Sequence, residues 1–272
     1  MANPVVITAA LNGPVAVPGD NPNLPTSPEA VAAAAKACYE EGAAVVHFHT
    51  RGPDGLPTPD YGCAKATLEA IHEACPVLTQ ISTGGFFPHE ERIKLVELKP
   101  RMASLNVCTM TFGDKEFLNP PLGVRKMAAR MRELGVKAEL EIYDTSHLEF
   151  ALRLLKEGLL VEPLQFSVVL GVIGGATATP ENLITLVSRM PPGSVWQMIG
   201  VGSKANLMLT SIALAMGGNA RTGLEDLLYI AKGVMADNPG LIRRLVNVAK
   251  AMERTPATPA EAEKMLQLPK LN

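Results

Sequence analysis

Apolar and polar positions fall in alternating blocks along this chain. Short, mostly apolar runs stand at "VVITAAL" (5–11), "AAVVHFH" (43–49), "PVLTQIS" (76–82), "ASLNV" (103–107), "KAELEIY" (137–143), "LQFSVVL" (164–170) and "SVWQMIG" (194–200). Runs of this length, bounded by Gly, Pro or polar residues, predict buried strands. "SIALAMGG" (211–218) is an eighth candidate, although its Ala, Leu and Met fit a helix end equally well. Helix signals fill the gaps. "TSPEAVAAAAKACYEEG" offers Ser27 as a cap, Pro28 in the first turn and Gly42 as a stop, and "PLGVRKMAARMRELG" ends on Gly135. "TPENLITLVSRM" begins with Thr179 and Pro180, and "TGLEDLLYIAKGVMADN" and "NPGLIRRLVNVAKAMER" read as two more helices. Strands alternating with helices call for parallel β-α units. About eight such units in 272 residues favour a closed (β/α)8 TIM barrel, typically ~250 residues long, over an open doubly wound sheet. We expect a single domain over 1–272 with a C-terminal helical extension from about 238 to 272.

Composition narrows the function classes. A formal charge of −2 without a long basic run argues against a nucleic-acid surface. Cys38, Cys63, Cys75 and Cys108 form no CxxC pair and read as reduced structural thiols. "MANPVVITAALNG" lacks the charged start of a signal peptide, and no apolar stretch reaches the ~20 residues that span a bilayer. The expectation is a soluble cytoplasmic protein with no nucleic-acid or membrane partner.

In a barrel of this kind the active site lies at the C-terminal ends of the strands. Those ends carry Asn12-Gly13, then His47 and His49, then "STGG" (82–85), Asn106, Glu139 and Glu141, "GVIGG" and "VGSKAN". After the eighth strand comes "GGNARTGLED", with Arg221, Glu225 and Asp226 close together. Residues i and i+2 of a strand share a face, so His47 and His49 point the same way. Such a pair suits zinc, which needs further ligands; Glu225 is the first candidate and Glu141 the second. The alternative is two hydrogen-bonded barrel histidines. Thr222 and Glu225 could equally form a capping box at a helix start, where acidic residues are favoured without any function. Arg221 could offer a planar, bidentate partner to an anionic substrate. The "STGG" turn offers backbone N–H groups and a hydroxyl to a carboxylate, and "VIGGATATP" resembles an anion-binding turn before a helix. His72 and His89 read as surface residues, His147 as the first turn of a helix, and the twelve methionines as core filler.

These segments together resemble the β-keto acid cleavage enzyme family. The likeness runs through "ITAALNG" (7–13), "NPNLPTSPEAVAAAAKACYEEGAAVVHFHTR" (21–51), "QISTGG" (80–85), "ASLNV" (103–107), "ELEIYDTSHL" (139–148), "GGNARTGLED" (217–226) and "TPATPAEAEKMLQL" (255–268). The resemblance implies a zinc-dependent (β/α)8 barrel, assembled as a homotetramer, that takes a β-keto acid and acetyl-CoA to acetoacetate and an acyl-CoA. It implies His47, His49 and Glu225 as ligands of Zn²⁺, which would hold the 3-keto oxygen and the carboxylate. Asp226 is implied as acid/base with Arg221 as its partner. Ser82, Thr83 and Gly85 are implied at the substrate carboxylate, with Asn106 and Glu141 at further active-site positions. On this reading Asp226 moves a proton at the α-carbon of acetyl-CoA, and the carbanion attacks the ketone before retro-Claisen cleavage. The absence of a Cys or Ser nucleophile motif agrees with such a route.

Two departures stand out. Members acting on amino-bearing substrates resemble "TGAE" where this chain has "NGPV" (12–15), so the expected tail is not cationic. Asn219 replaces the His of a "GGH" pattern and is a poorer proton carrier. The competing reading is a metal-dependent aldolase or lyase acting on a keto acid without CoA; a barrel that only binds a metabolite is the third.

Overall fold

The structure, a computed structural model, describes residues 3–269. Eight strands run in parallel: β1 (Ile7–Ala10), β2 (Val45–Phe48), β3 (Leu78–Ile81), β4 (Met102–Asn106), β5 (Lys137–Ile142), β6 (Gln165–Leu170), β7 (Val195–Gly200) and β8 (Asn219–Thr222). Each pairs with the next, and β8 returns to β1 with Arg221 opposite Thr8, so the sheet closes as a (β/α)8 barrel. Outside it lie α1 (Pro28–Glu40), α2 (Tyr61–Ala74), α3 (His89–Arg92, continued by a 3-10 helix over Ile93–Leu98), α4 (Pro121–Leu134), α5 (Thr145–Lys156), α6 (Pro180–Val187), α7 (Ser203–Ala215) and α8 (Asn238–Ala251). The caps read from the sequence are in place. Ser27 accepts the Ala30 N–H, Thr179 accepts the Asn182 N–H, and Gly135 ends α4 at φ +70°.

Strand alternation divides the side chains between two environments. On β5, Leu140 and Ile142 pack under the helices, whereas Glu139 and Glu141 lie among the polar groups of the barrel interior. Phe48 on β2, Ile71 on α2 and Ile242 on α8 belong to one buried apolar layer; Leu105, Met127, Phe166 and Leu209 belong to a second. Hydrophobic burial outside the strands thus holds a ring of polar side chains inside them.

The structure corrects four expectations. Segment 211–218 is the end of α7 and its turn, because Ala, Leu and Met continue the helix until Gly217 at φ +86°. The eighth strand is Asn219–Thr222, "NART". Its Arg221 faces the polar interior, so the apolar signal is missing from a strand that is nonetheless fully buried. Segment 222–238 is not a helix: a turn follows β8, and Tyr229–Ala231 pairs antiparallel with Val234–Met235 around Gly233 at φ +75°. Thr222 is therefore no cap; its hydroxyl donates to Asn206 Oδ1 at 2.8 Å. His89 is buried, 7 % exposed, against Gly123, whereas His72 is exposed as expected and His147 sits in the first turn of α5.

The segment from 238 begins with α8, which packs against α1, α7 and β1 and completes the helical ring. Beyond it, Arg254–Pro256 pairs with Asn3–Val5, and α9 (Pro259–Met265) covers the N-terminal mouth of the barrel through Ala262 and Leu266 against Val6, Val45 and Met102. The site is left to the opposite end. Among the described residues, no helix is long and apolar enough to cross a membrane.

Candidate active site

At the C-terminal ends of the strands opens a cavity of about 410 Å³, with His49, Asn106, Glu141, Arg221, Glu225 and Asp226 among its lining residues. The spacing of β2 brings the imidazoles of His47 and His49 to a centroid separation of 5.4 Å, nearly edge to face. The turn after β8 sets the Glu225 carboxylate across from both, 3.3 Å from His47 Nε2 and 3.4 Å from His49 Nε2. Among the described residues, these three form the one cluster of His, Cys, Asp or Glu side chains whose donor atoms could share a metal ion.

The donor set fits a small divalent ion. Two ligands held at ~2.0–2.2 Å by one tetrahedral ion stand roughly 3.3–3.6 Å apart, the separation seen here. His47 Nε2 and Glu225 Oε2 are buried and lack a hydrogen-bond partner. Gln80 selects the tautomer of the neutral ring, because its Oε1 lies 2.6 Å from His47 Nδ1 and accepts a hydrogen bond from it, so that in the neutral form Nε2 carries the lone pair. The Glu225 carboxylate, acting against burial, raises the His47 pKa, so a metal ion there would displace a proton. Charge points the same way. Glu141, Glu225 and Asp226 face a single guanidinium, that of Arg221, which lies 2.7 Å from Glu225 and 2.8 Å from Asp226, with Glu141 at 3.9 Å.

Burial and this charge network shift the titrations. Burial pushes His49 down to about 4, so its ring is neutral at pH 7, the form that ligates metals. Burial also acts on Glu225, but Arg221 and the two imidazoles override it and hold the carboxyl well below the usual range. For Asp226 burial wins over Arg221 and the pKa is raised; Glu141 is raised by burial as well, and the Tyr143 hydroxyl donates to it at 2.9 Å.

The other sequence-derived candidates divide. Asn106 lines the cavity, is 3 % exposed, and neither its amide nitrogen nor its oxygen has a partner, so both are open to a ligand. Ser82, Gly84 and Gly85 also line it. Thr83 does not: its hydroxyl donates to the Ser104 carbonyl at 2.7 Å and its N–H to Ser104 Oγ, while the Gly84 N–H is taken by Ser82 Oγ. The "STGG" turn therefore offers the Ser82 hydroxyl rather than a ring of free amides. Glu139, one layer deeper, is held by Ser167 and Gln197 and lies away from the cavity lining.

Several positioning groups escaped the sequence reading. Asn12 clamps His49 in both directions, accepting its N–H at 2.9 Å and donating to its carbonyl at 3.1 Å. Arg51 donates to the Asn12 and Gly13 carbonyls and fixes that loop. The Asn12-Gly13 pair at a strand end was the available signal; Gln80 and Arg51 gave none.

The sequence matches the profile of the beta-keto acid cleavage enzyme over residues 4–268. The chain belongs to this family. A family relative from Acetoanaerobium sticklandii, a 3-keto-5-aminohexanoate cleavage enzyme, is 39% identical over 271 residues, covering 98% of this chain and 99% of its own. The 3,5-dioxohexanoate:acetyl-CoA acetone transferase of Paraburkholderia graminis is 34% identical, over 97% of this chain and 96% of its own. A solved ternary complex of ObcA with a C4-CoA adduct and oxalate has the same fold, with a TM-score of 0.77 and 18% identity over 91% of this chain and 68% of that one.

Both departures from the family pattern have a place in the structure. Pro14 and Val15 line the cavity, and Val15 is 60% exposed. Asn219 lies at the opposite end of β8, where Oδ1 accepts the Val6 N–H at 2.9 Å and Nδ2 donates to the Trp196 carbonyl; it braces the barrel away from the site. Gly13 has a second role. It adopts φ +66°, and a Cβ there would stand 2.6 Å from Glu225 Cγ. Gly13→Ala is expected to displace Glu225 and weaken metal binding roughly 10–100-fold, as loss of a ligand's support commonly does. Chelator competition measures this, and an unchanged affinity would show that Gly13 does not set the carboxylate's position.

Proposed function

We propose that this protein condenses a β-keto acid with acetyl-CoA and cleaves the adduct to acetoacetate and an acyl-CoA, using a zinc site formed by His47, His49 and Glu225. The observation that carries this reading is the buried set of His47 Nε2, Glu225 Oε2 and the Asn106 carboxamide, none of which has a hydrogen-bond partner, with Glu225 and Asn106 lining one cavity. Buried polar groups left without partners cost about 1–3 kcal/mol each, so an ion and a polar substrate are the natural occupants. The acetyl-CoA specificity in the name of the Paraburkholderia relative supports the co-substrate. Zinc held by two imidazoles and a carboxylate supplies Lewis acidity to a bound keto oxygen.

Carbon balance assigns the proton transfer. Acetoacetate formed this way keeps the carboxyl and C2 of the keto acid and gains the acetyl group. A carbanion of acetyl-CoA adding to the ketone cannot give that division, so the carbon to be deprotonated is C2 of the keto acid. Asp226 lines the cavity with a raised pKa and takes that proton. The C2 carbanion attacks the thioester carbonyl, a C–C bond forms, and the C–S bond breaks to release the CoA thiolate. The thiolate adds to the 3-keto carbon, the C2–C3 bond breaks, and Asp226 returns the proton to C2. Arg221 orients Asp226 through two hydrogen bonds, and its Nη1 makes no hydrogen bond and lies 3.9 Å from Glu141. On this reading Ser82 and Asn106 bind the substrate carboxylate, and Glu141, held by Tyr143, lines the same cavity.

The tail of the keto acid is not cationic on this reading, since Pro14 and Val15 stand where an ammonium partner would be needed. The homotetrameric assembly and cytoplasmic location implied by the family resemblance belong to the same proposal; light scattering at the mass of four chains tests the first. Incubating zinc-loaded protein with a panel of β-keto acids and acetyl-CoA should yield acetoacetate and a new thioester in equal amounts. Cleavage of a keto acid at the same rate without acetyl-CoA would favour the aldolase-type alternative instead.

A further inference from the structure

The cavity has two chemically distinct sides. Its charged lining residues, Glu141, Arg221, Glu225 and Asp226, are interlocked at the floor, with His49 beside them. One wall is aromatic. Met110–Phe112 and Lys115–Phe117, which follow β4, form a two-stranded antiparallel hairpin. Phe112 and Phe117 from it, Phe86 after β3 and Tyr143 after β5 pack edge to face, with centroids 5.3 Å (Phe112–Phe117), 5.6 Å (Phe112–Tyr143) and 6.2 Å (Phe86 to each hairpin Phe) apart. All four line the cavity.

This wall is fastened at three points. The Gly113 N–H donates to the Ile173 carbonyl at 3.0 Å, and Gly174 approaches Thr111 so closely that a Cβ would meet its carbonyl oxygen at 2.2 Å. Behind Phe117 lies the buried Arg92, its guanidinium 5.0 Å from the ring centroid. Arg92 donates to the Leu118 carbonyl and Asn119 Oδ1 on the hairpin side and to the Thr83 carbonyl on the other. One side chain thus ties the aromatic wall to the turn that carries Ser82. A pre-built apolar surface at a fixed offset from a carboxylate site binds the apolar part of the same molecule without an ordering cost.

Resting on the reading above, we propose that Phe86, Phe112, Phe117 and Tyr143 form the subsite for the substrate's tail, and that the substrate class is β-keto acids with an uncharged alkyl or aryl tail. The charges nearest the wall do not offer a tail partner. Glu141 is occupied by Tyr143, and the Lys115 ammonium sits over the Phe86 ring, 5.2 Å from its centroid, on an exposed residue that does not line the cavity.

The test uses zinc-loaded protein and β-keto acids with ethyl, propyl and butyl tails, together with analogues of matched length ending in an ammonium or a carboxylate. Calorimetry gives affinity, and thioester formation gives turnover. Affinity should rise roughly fourfold per methylene, the equivalent of about 0.8 kcal/mol per buried CH₂, and both charged analogues should bind more weakly than the alkyl acid. Phe112→Ala should flatten the series and Phe112→Leu should retain most of it; Phe112 lies on the hairpin, outside the barrel sheet. A flat series in the unmodified protein, or preference for either charged tail, overturns the subsite. So does a Phe112→Ala effect confined to the KM of acetyl-CoA, which would assign the wall to the thioester arm. A rising affinity series without thioester product would sink the reaction reading and leave the subsite standing.

Discussion

His49→Ala is expected to remove the bound metal and reduce thioester formation to background while leaving the barrel folded. The backbone at residue 49 is held independently of the imidazole, by the paired hydrogen bonds from Asn12. The ring nitrogen Nε2 lies 3.4 Å from Glu225, and Glu225 keeps Arg221 at 2.7 Å when that ring is gone. His47 is a less clean target, since removing it also strands the buried Gln80 side chain. Metal content by elemental analysis and far-UV circular dichroism separate loss of the ion from loss of the fold. Removing the ion with a chelator should reproduce the loss in unmodified protein and lower Tm, because a ligand present at 100 times its Kd stabilises the native state by about 2.7 kcal/mol. Full turnover in metal-free protein would end the proposed role of the site.

Asp226→Asn is expected to keep the metal and lower kcat at least ~10²-fold, the usual loss when a general acid/base is removed. The substitution is nearly isosteric and retains an oxygen for Arg221, so the orientation of the guanidinium is preserved while the proton acceptor is lost. The metal cluster uses Glu225 and leaves Asp226 out, which is why metal content and turnover should separate. Near-normal kcat with normal metal content would remove Asp226 from proton transfer and move attention to Glu141, the other cavity carboxyl with a raised pKa.

The two residues differ in how they could be read beforehand. His47 and His49 share a strand, and period two places them on one face whatever the rest of the fold does. Glu225 and Asp226 lie inside the segment 222–238 that read as a helix, with Glu225 completing a capping box at its start. The chain turns there instead because Glu225 N–H donates to the Ala10 carbonyl on the neighbouring strand, and Asn238 accepts the Leu224 N–H while donating to the Leu11 carbonyl. Those partners are distant in sequence, so no local pattern announces them. The same holds for Thr83, whose type suggested an anion ligand until its hydroxyl proved to be committed to Ser104.

By itself the sequence determined seven barrel strands, the caps at Ser27, Thr179 and Gly135, and the shared direction of two imidazoles, because each depends on spacing over a few residues. Tertiary structure alone decided where the eighth strand lies, since "NART" replaces the usual apolar run with side chains directed at a polar interior. It also decided between Glu225 and Glu141, the two carboxylates the sequence offered as partners for the histidines, in favour of Glu225, and it brought Gln80 to His47 and an aromatic hairpin to the cavity. Closing the barrel brings strand ends together that the chain separates by scores of residues, and contacts made by closure follow from the register of the whole sheet rather than from any one segment of it.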